Sequence, residues 1–250
     1  QAAAGETVKI GFLTAATGGA AFLGGPEQDA ARLVQEQLAT EGIAGPDGRP
    51  INVEVIIYDT EGSGDVAITL AKKLIEDDKV AVIVGGTRSP ESLALVPIVQ
   101  EAKTPFISMA SSSEIVEPVA ERHWVFKTAQ NNAHTAPWQV RYVKELGIDK
   151  VANLYVNNAY GEDGRNAIRQ AADEAGVEIV LEETFEDADT DFSSQLTKIK
   201  ASDAGAVLVT GLPPAAAILT KQFRELGLDM PLVHDHGIGM KPFIDLSGAE

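Results

Sequence analysis

Val80-Ala81-Val82-Ile83-Val84-Gly85-Gly86-Thr87-Arg88-Ser89-Pro90 contains the unit from which the rest of the chain is built. The apolar, β-branched run at 80–84 stops at a glycine pair, the pattern of a short buried strand. Ser89 before Pro90 then reads as a helix N-cap, with proline at the first helical position, where its missing N–H is an orphan anyway. The same order of strand, loop and helix start recurs on both sides. Strands are expected at 8–13 and 52–58 before this stretch, and at 105–108 and 124–127 after it. The first helix is expected to begin at Pro26, with Ala30, Leu33, Val34 and Leu38 at helical spacing. The next is capped by Asp65 and buries Ile68, Leu70, Leu74 and Ile75. Such alternation requires a mostly parallel sheet, because parallel neighbours can only be joined by a crossover.

The second half repeats the first. Strands are expected at 151–156, 178–182, 206–209 and 232–235, with helices starting from Gly161, Asp191 and Pro213. Asp65 and Asp191 stand 126 positions apart, as do Pro105 and Pro231, and each pair opens the same element of its half. The fold class is therefore α/β, with two similar doubly wound lobes at 1–127 and 128–250 and a crossover near 127–132. Nothing in the second lobe matches the strand at 124–127. That lobe is thus expected to be incomplete at its C-terminus and the natural chain to continue past Glu250, because an uncovered sheet edge is a liability.

With 250 residues, 44% of them hydrophobic, the chain can fill two cores of ordinary domain size. A formal net charge of −17 repels phosphate backbones and anionic lipid, so no nucleic-acid partner is expected. No apolar run approaches the ~18–20 residues of a membrane span. The chain has no cysteine, which excludes disulfides, zinc–thiolate sites and Fe–S clusters. Residues 1–5 are small and polar, as the mature end left by a cleaved secretory signal is.

Ligands of open α/β sheets collect at the carboxyl ends of strands. In the first half those ends are the loops at 14–25, 85–90 and 109–114; in the second, 157–161, 210–214 and 234–237. Ser89 is read as an N-cap, and Ser111 with Glu114 has capping-box spacing, so two adjacent helix starts carry hydroxyls beside free backbone N–H groups. Capping alone would account for either serine; the two together suggest an anion site. A carboxylate fits better than a phosphate, because Gly19 and Gly24 are followed by Gly25 and Pro26 instead of Lys and Ser/Thr. Phe22, Leu23 and Tyr160 could wall the site, or pack beneath their loops. His234 and His236 could reach a metal together, but they lack a third ligand, so no metal site is expected. Asp187, Asp189 and Asp191 lack the glycine and terminal glutamate of a calcium loop. No Gly-x-Ser-x-Gly elbow, cysteine nucleophile or Gly-x-Gly-x-x-Gly is present, so neither an enzyme nor a cofactor is expected.

Taken together, several short motifs resemble the leucine/isoleucine/valine-binding protein family, the type I periplasmic solute-binding proteins of branched-chain amino-acid ABC importers. They are Val8-Lys9-Ile10-Gly11 leading to Thr17-Gly18-Gly19, Tyr58-Asp59, Val84-Gly85-Gly86, Ile107-Ser108-Met109-Ala110-Ser111-Ser112, Tyr160-Gly161-Glu162 and Asp191-Phe192-Ser193. The resemblance covers nearly the whole chain. It implies a monomeric, periplasmic receptor that closes its lobes on a small carboxylate solute and delivers it to a membrane permease. It also implies that Ser89, Ala110, Ser111 and Ser112 hold the carboxylate and that Tyr160 closes from the second lobe. The acid that holds an α-ammonium in the family aligns with His236, with Asp235 beside it, and aromatic residues of the family are replaced at Leu23 and Leu212. If His236 continues the last strand into the site, Asp235 points away, and acids without an α-amino group should bind well. The alternatives are a ligand-sensing regulatory domain of the same fold and, less favoured, an α/β enzyme acting on a small acid.

Overall fold

The computed structural model describes residues 7–44, 48 and 50–248, and the chain divides into two compact units at 129/130. The first unit runs β1 (Thr7–Thr14), α1 (Ala21–Glu41), β2 (Ile43–Ala44), β3 (Pro50–Asp59), α2 (Gly64–Glu76), β4 (Val82–Gly85), α3 (Ser89–Ala102), β5 (Phe106–Ser108) and β6 (Val125–Lys127). Its sheet has the order β2-β3-β1-β4-β5-β6. All neighbours are parallel except the short β2–β3 pair, which the sequence reading lacks. The register aligns Leu13 with Tyr58 and Gly85, and Ser108 with Gly85 and Lys127, so five strands end side by side. Leu13, Leu74, Ile83, Leu95, Phe106 and Ile115 are fully buried in the core beneath them.

The second unit runs α4 (Asn132–Glu145), β7 (Lys150–Val156), α5 (Ala159–Ala175), β8 (Glu178–Phe185), α6 (Ser193–Ala201), β9 (Ala206–Thr210), α7 (Ala215–Glu225), β10 (Leu232–His234) and α8 (Lys241–Ser247). Its parallel sheet has the order β10-β9-β7-β8. This is the winding of β5-β4-β1-β3 in the first unit, so the two units share a topology through four strands. Among the described residues the second unit has no counterpart of β6. One face of its sheet packs Leu154, Phe185, Phe192, Leu196 and Phe223. The other packs Val140, Val143, Val151, Ile168 and Leu208.

Strand positions follow the sequence reading closely, whereas helix starts do not. The first helix opens at Ala21, not Pro26, and carries the proline inside it. Asp65 lies in the first turn of α2; the cap is Ser63, whose hydroxyl accepts from Val66 N at 3.4 Å. The α5 helix starts at Ala159, ahead of Gly161, and is capped by Asn158, whose side chain accepts from Tyr160 N and Gly161 N. Asp191 precedes α6 and accepts from Ser193 N at 2.9 Å, with Phe192 between them, and α7 opens at Ala215 instead of Pro213. Ser, Asn and Asp near a helix start all satisfy orphan N–H groups, so sequence alone leaves a choice of a few positions.

Candidate functional site

In the first unit the strand order reverses between β1 and β4, so the loops after these strands diverge and leave a crevice at the carboxyl edge. Gly85 and Gly86 shape its floor. Gly85 has φ +143°, and a Cβ there would lie 2.1 Å from Leu13 O. Only glycine allows the β4 backbone to pass β1 this closely. Ser89 follows, and here the sequence reading is corrected: Ser89 is the first residue of α3 and not its cap, which is Arg88. Its hydroxyl accepts instead from Ser112 N at 3.1 Å. The capping-box reading of Ser111 with Glu114 is corrected as well, since Ser112 caps the short turn Ser113–Ile115, its hydroxyl accepting from Glu114 N at 3.3 Å.

The expected residues Ser89 and Ser112 are thus brought together, both buried, with Ala110 buried on the same loop and Ser111 partly exposed. Lys127 of β6 donates through Nζ to Ser111 O at 2.5 Å and Ser112 O at 3.3 Å, adding a cation behind the loop. A serine hydroxyl that accepts one bond retains its own hydrogen, which can be turned toward an anion. Glu91 occupies the first turn of α3, buried, and takes the Thr60 hydroxyl at 2.7 Å. Burial raises its carboxyl above the usual range, opposed by that hydroxyl and by Arg88. What this loop can turn toward an anion is thus the Ser89 hydroxyl, since Ala110 N and Ser112 N already donate, to Ser108 Oγ at 3.1 Å and to Ser89 Oγ. Phe22 and Leu23 lie half-buried in the first turn of α1.

A second polar group lies beneath this crevice and has no motif to announce it. Glu27, from α1, meets the hydroxyls of Thr14 at 2.9 Å and Thr87 at 2.6 Å, and Thr87 also accepts from Ala15 N at 2.9 Å. Burial pushes the Glu27 carboxyl up, the Thr87 hydroxyl pulls it down, and the neighbouring Glu91 charge raises it further. With the helix expected to start at Pro26, Glu27 falls in an opening turn, where an acid normally serves the helix and faces water.

In the second unit the sheet reverses between β7 and β9, and Tyr160, Leu212, Asp235 and His236 lie on the loops and helix starts nearby. Tyr160 is buried, and its hydroxyl donates to Asp235 Oδ2. Asp235 Oδ1 accepts from Gly237 N at 3.0 Å. Burial pushes the Asp235 carboxyl up to about 7 despite these donors. It raises the Tyr160 hydroxyl well above its ordinary value too, as does the adjacent Asp235. His236 packs edge-on against the Tyr160 ring, centroids 5.9 Å apart, and is partly exposed. Leu212, half-buried, packs on the core around Phe185.

The expectation that Asp235 and His236 alternate along a strand fails, because β10 ends at His234 and Asp235 caps a short turn, His236–Ile238. Both can then belong to one cluster. His234 is a core residue: its Nε2 lies 2.9 Å from the Thr220 hydroxyl, its ring packs on Phe243, and burial lowers it to about 4. Among the described residues no three His, Cys, Asp or Glu side chains gather as metal ligands. Nor is any described helix long and apolar enough to cross a membrane.

Comparison with known proteins places these features in a family. The chain is 24% identical over 248 residues to a leucine-, isoleucine-, valine-, threonine- and alanine-binding protein of Pseudomonas aeruginosa, covering 98% of this chain and 64% of that one. It superposes on the branched-chain amino-acid transporter substrate-binding protein LivJ of Streptococcus pneumoniae, solved with isoleucine, with a TM-score of 0.85 and 30% identity over 98% of this chain and 68% of that one. It also superposes on an ABC-transporter solute-binding protein of Rhodopseudomonas palustris solved with 3,4-dihydroxybenzoic acid, with a TM-score of 0.78 and 31% identity over 91% and 61% of the two chains. The fold is that of the type I periplasmic binding proteins, and the chain spans about two thirds of the length of these relatives. Since the sequence pattern of the periplasmic binding proteins also matches residues 7–240, nearly everything described above, the chain belongs to that family and groups with its leucine/isoleucine/valine-binding members.

Proposed function

We propose that this chain is the solute-capturing part of an extracytoplasmic receptor that delivers a small carboxylate to the permease of an ABC importer. The observation that carries the reading is the meeting of the Ser89 hydroxyl with the Ser112 backbone at the carboxyl ends of β4 and β5. The ligands of the two solved relatives, isoleucine and 3,4-dihydroxybenzoic acid, share a carboxylate and differ in having an α-ammonium, which supports a site built first for the acid group. Ser89→Ala is expected to weaken binding of such a solute by roughly 1–3 kcal/mol, the range for hydrogen bonds to a charged group. Folding should lose about 1–3 kcal/mol, because the buried Ser112 N is left without its acceptor, so affinity is compared on the folded fraction. Calorimetry on the tightest-binding solute tests this, and an unchanged affinity would move the anion site elsewhere.

We further propose that acids without an α-amino group bind at least as well as leucine, isoleucine or valine. A buried ammonium needs a free carboxylate, since desolvating an unpaired cation costs several kcal/mol. Asp235 is already engaged by Tyr160 and Gly237 and is nine-tenths buried. His236, beside it, suits a keto, hydroxyl or second acid group better. A thermal-shift panel should show stabilisation by branched 2-keto acids or aromatic acids. If the three amino acids stabilise strongly while their keto analogues do nothing, Asp235 opens to the amine and this assignment is wrong.

A further inference from the structure

The hydrogens around Glu27 can be counted. Thr14 Oγ1 lies 2.9 Å from Gly24 O and 2.9 Å from Glu27 Oε2, and Thr87 Oγ1 lies 2.6 Å from the same carboxyl oxygen. Three oxygen–oxygen contacts of hydrogen-bond length each require a hydrogen, and two threonine hydroxyls bring one apiece. Gly24 O can only accept, so the Thr14 hydrogen belongs there. Thr87 accepts from Ala15 N and gives its hydrogen to Glu27; the two threonine oxygens, 3.4 Å apart, are too distant to compete. The contact between Thr14 and Glu27 is then complete only if Glu27 supplies the third hydrogen.

We propose that Glu27 is a specificity-determining residue, held as a neutral acid that donates to Thr14, and that its neutrality lets the crevice beside it accept an anionic solute. The proposal rests on the carboxylate reading of the Ser89–Ser112 site. Thr87 touches Glu27 and stands two residues before Ser89 on the loop leaving β4, so an ionised Glu27 would set a negative charge against the bound carboxylate. The titratable group facing Glu27 is Glu91, from α3, whose own charge is offset by Arg88 of the β4–α3 loop; β1 and Thr87 present only hydroxyls and backbone. Burial favours the neutral form of Glu27, in agreement with the hydrogen count.

Carbon-13 NMR of carboxyl-labelled glutamate, with Glu27 assigned by its loss in Glu27→Gln, reads its titration without any solute. Glu27 is expected to hold its proton to higher pH than the exposed glutamates. Calorimetry with 4-methyl-2-oxopentanoate, an anion throughout, should then show affinity falling by up to about tenfold per pH unit above the Glu27 midpoint. Glu27→Gln, whose amide can donate to Thr14 and accept from Thr87, should keep the low-pH affinity with a flat profile. A Glu27 that titrates with the exposed glutamates, or a wild-type affinity unchanged through its midpoint, overturns the proposal. The NMR result stands by itself, so failure of every carboxylate probe to bind would count against the solute assignment and not against the protonation of Glu27.

Discussion

Urea unfolding of the second unit should require less denaturant at pH 8 than at pH 5, and Asp235→Asn should remove most of that difference. In the fold the Asp235 carboxyl titrates at about 7, against 3.8 for the free side chain. Between those values the folded chain binds a proton that the unfolded chain has released, so stability is greatest at low pH and declines as pH rises toward 7. At about 1.4 kcal/mol per pH unit, the two units from pH 5 to about 7 amount to a loss of roughly 3 kcal/mol. Glu27 and Glu91 are also raised and act in the same direction, so the wild-type slope alone does not identify its source. The difference between wild type and Asp235→Asn does, because the amide stays neutral and its oxygen can still accept from Tyr160. Equal slopes in the two proteins would mean that Asp235 ionises normally and that the Tyr160 bond fully offsets its burial.

Gly85→Ala should destabilise the first unit by more than about 3 kcal/mol, because it combines two of the mechanisms behind large single-site effects, a backbone region reserved for glycine and overpacking. The added methyl would meet Leu13 O at 2.1 Å and Leu13 N at 2.8 Å, and neither belongs to a side chain that can turn away. Relief requires β1 and β4 to separate, which moves Thr14, Thr87 and the start of α3 together. Gly25→Ala is the control, since a Cβ there meets nothing within 4 Å and helical residues favour alanine. Chemical denaturation followed by circular dichroism compares them. Equal stability of the two variants would show that the strands adjust more freely than their packing suggests.

How much of this was legible in sequence depended on the reach of the interaction. The run at 80–84 and its glycines announced β4 because β-branched packing and chain reversal are encoded locally, and the matched spacing of Pro105 and Pro231 disclosed the repeated winding. The residues of the loops after β4 and β5 were legible for the same reason. What each one does was not. Ser89 reads as a cap because serine before proline usually is one, and its actual partner, Ser112, is set by the pairing of β4 with β5. Asp235 was expected to alternate with His236 because its strand was read one residue too long, and strand ends are fixed by tertiary contacts such as the Tyr160 hydroxyl. Glu27 gave no signal: a glutamate after Gly-Gly-Pro looks like a solvated turn until the helix is seen to start earlier and to turn it toward Thr14.

The division at 129/130 has a bearing on how the protein is made. Within residues 1–250 each unit is one unbroken stretch of polypeptide, so a ribosome lays down β1 to β6 before it begins β7. The parallel β1–β4 pairing, which must wait for distant segments to meet, can close while the later half is still being synthesised, and errors of exchange between two sheets of like winding become less frequent. A message that slows translation once residue 129 has emerged from the ribosome should therefore raise the yield of correctly folded protein.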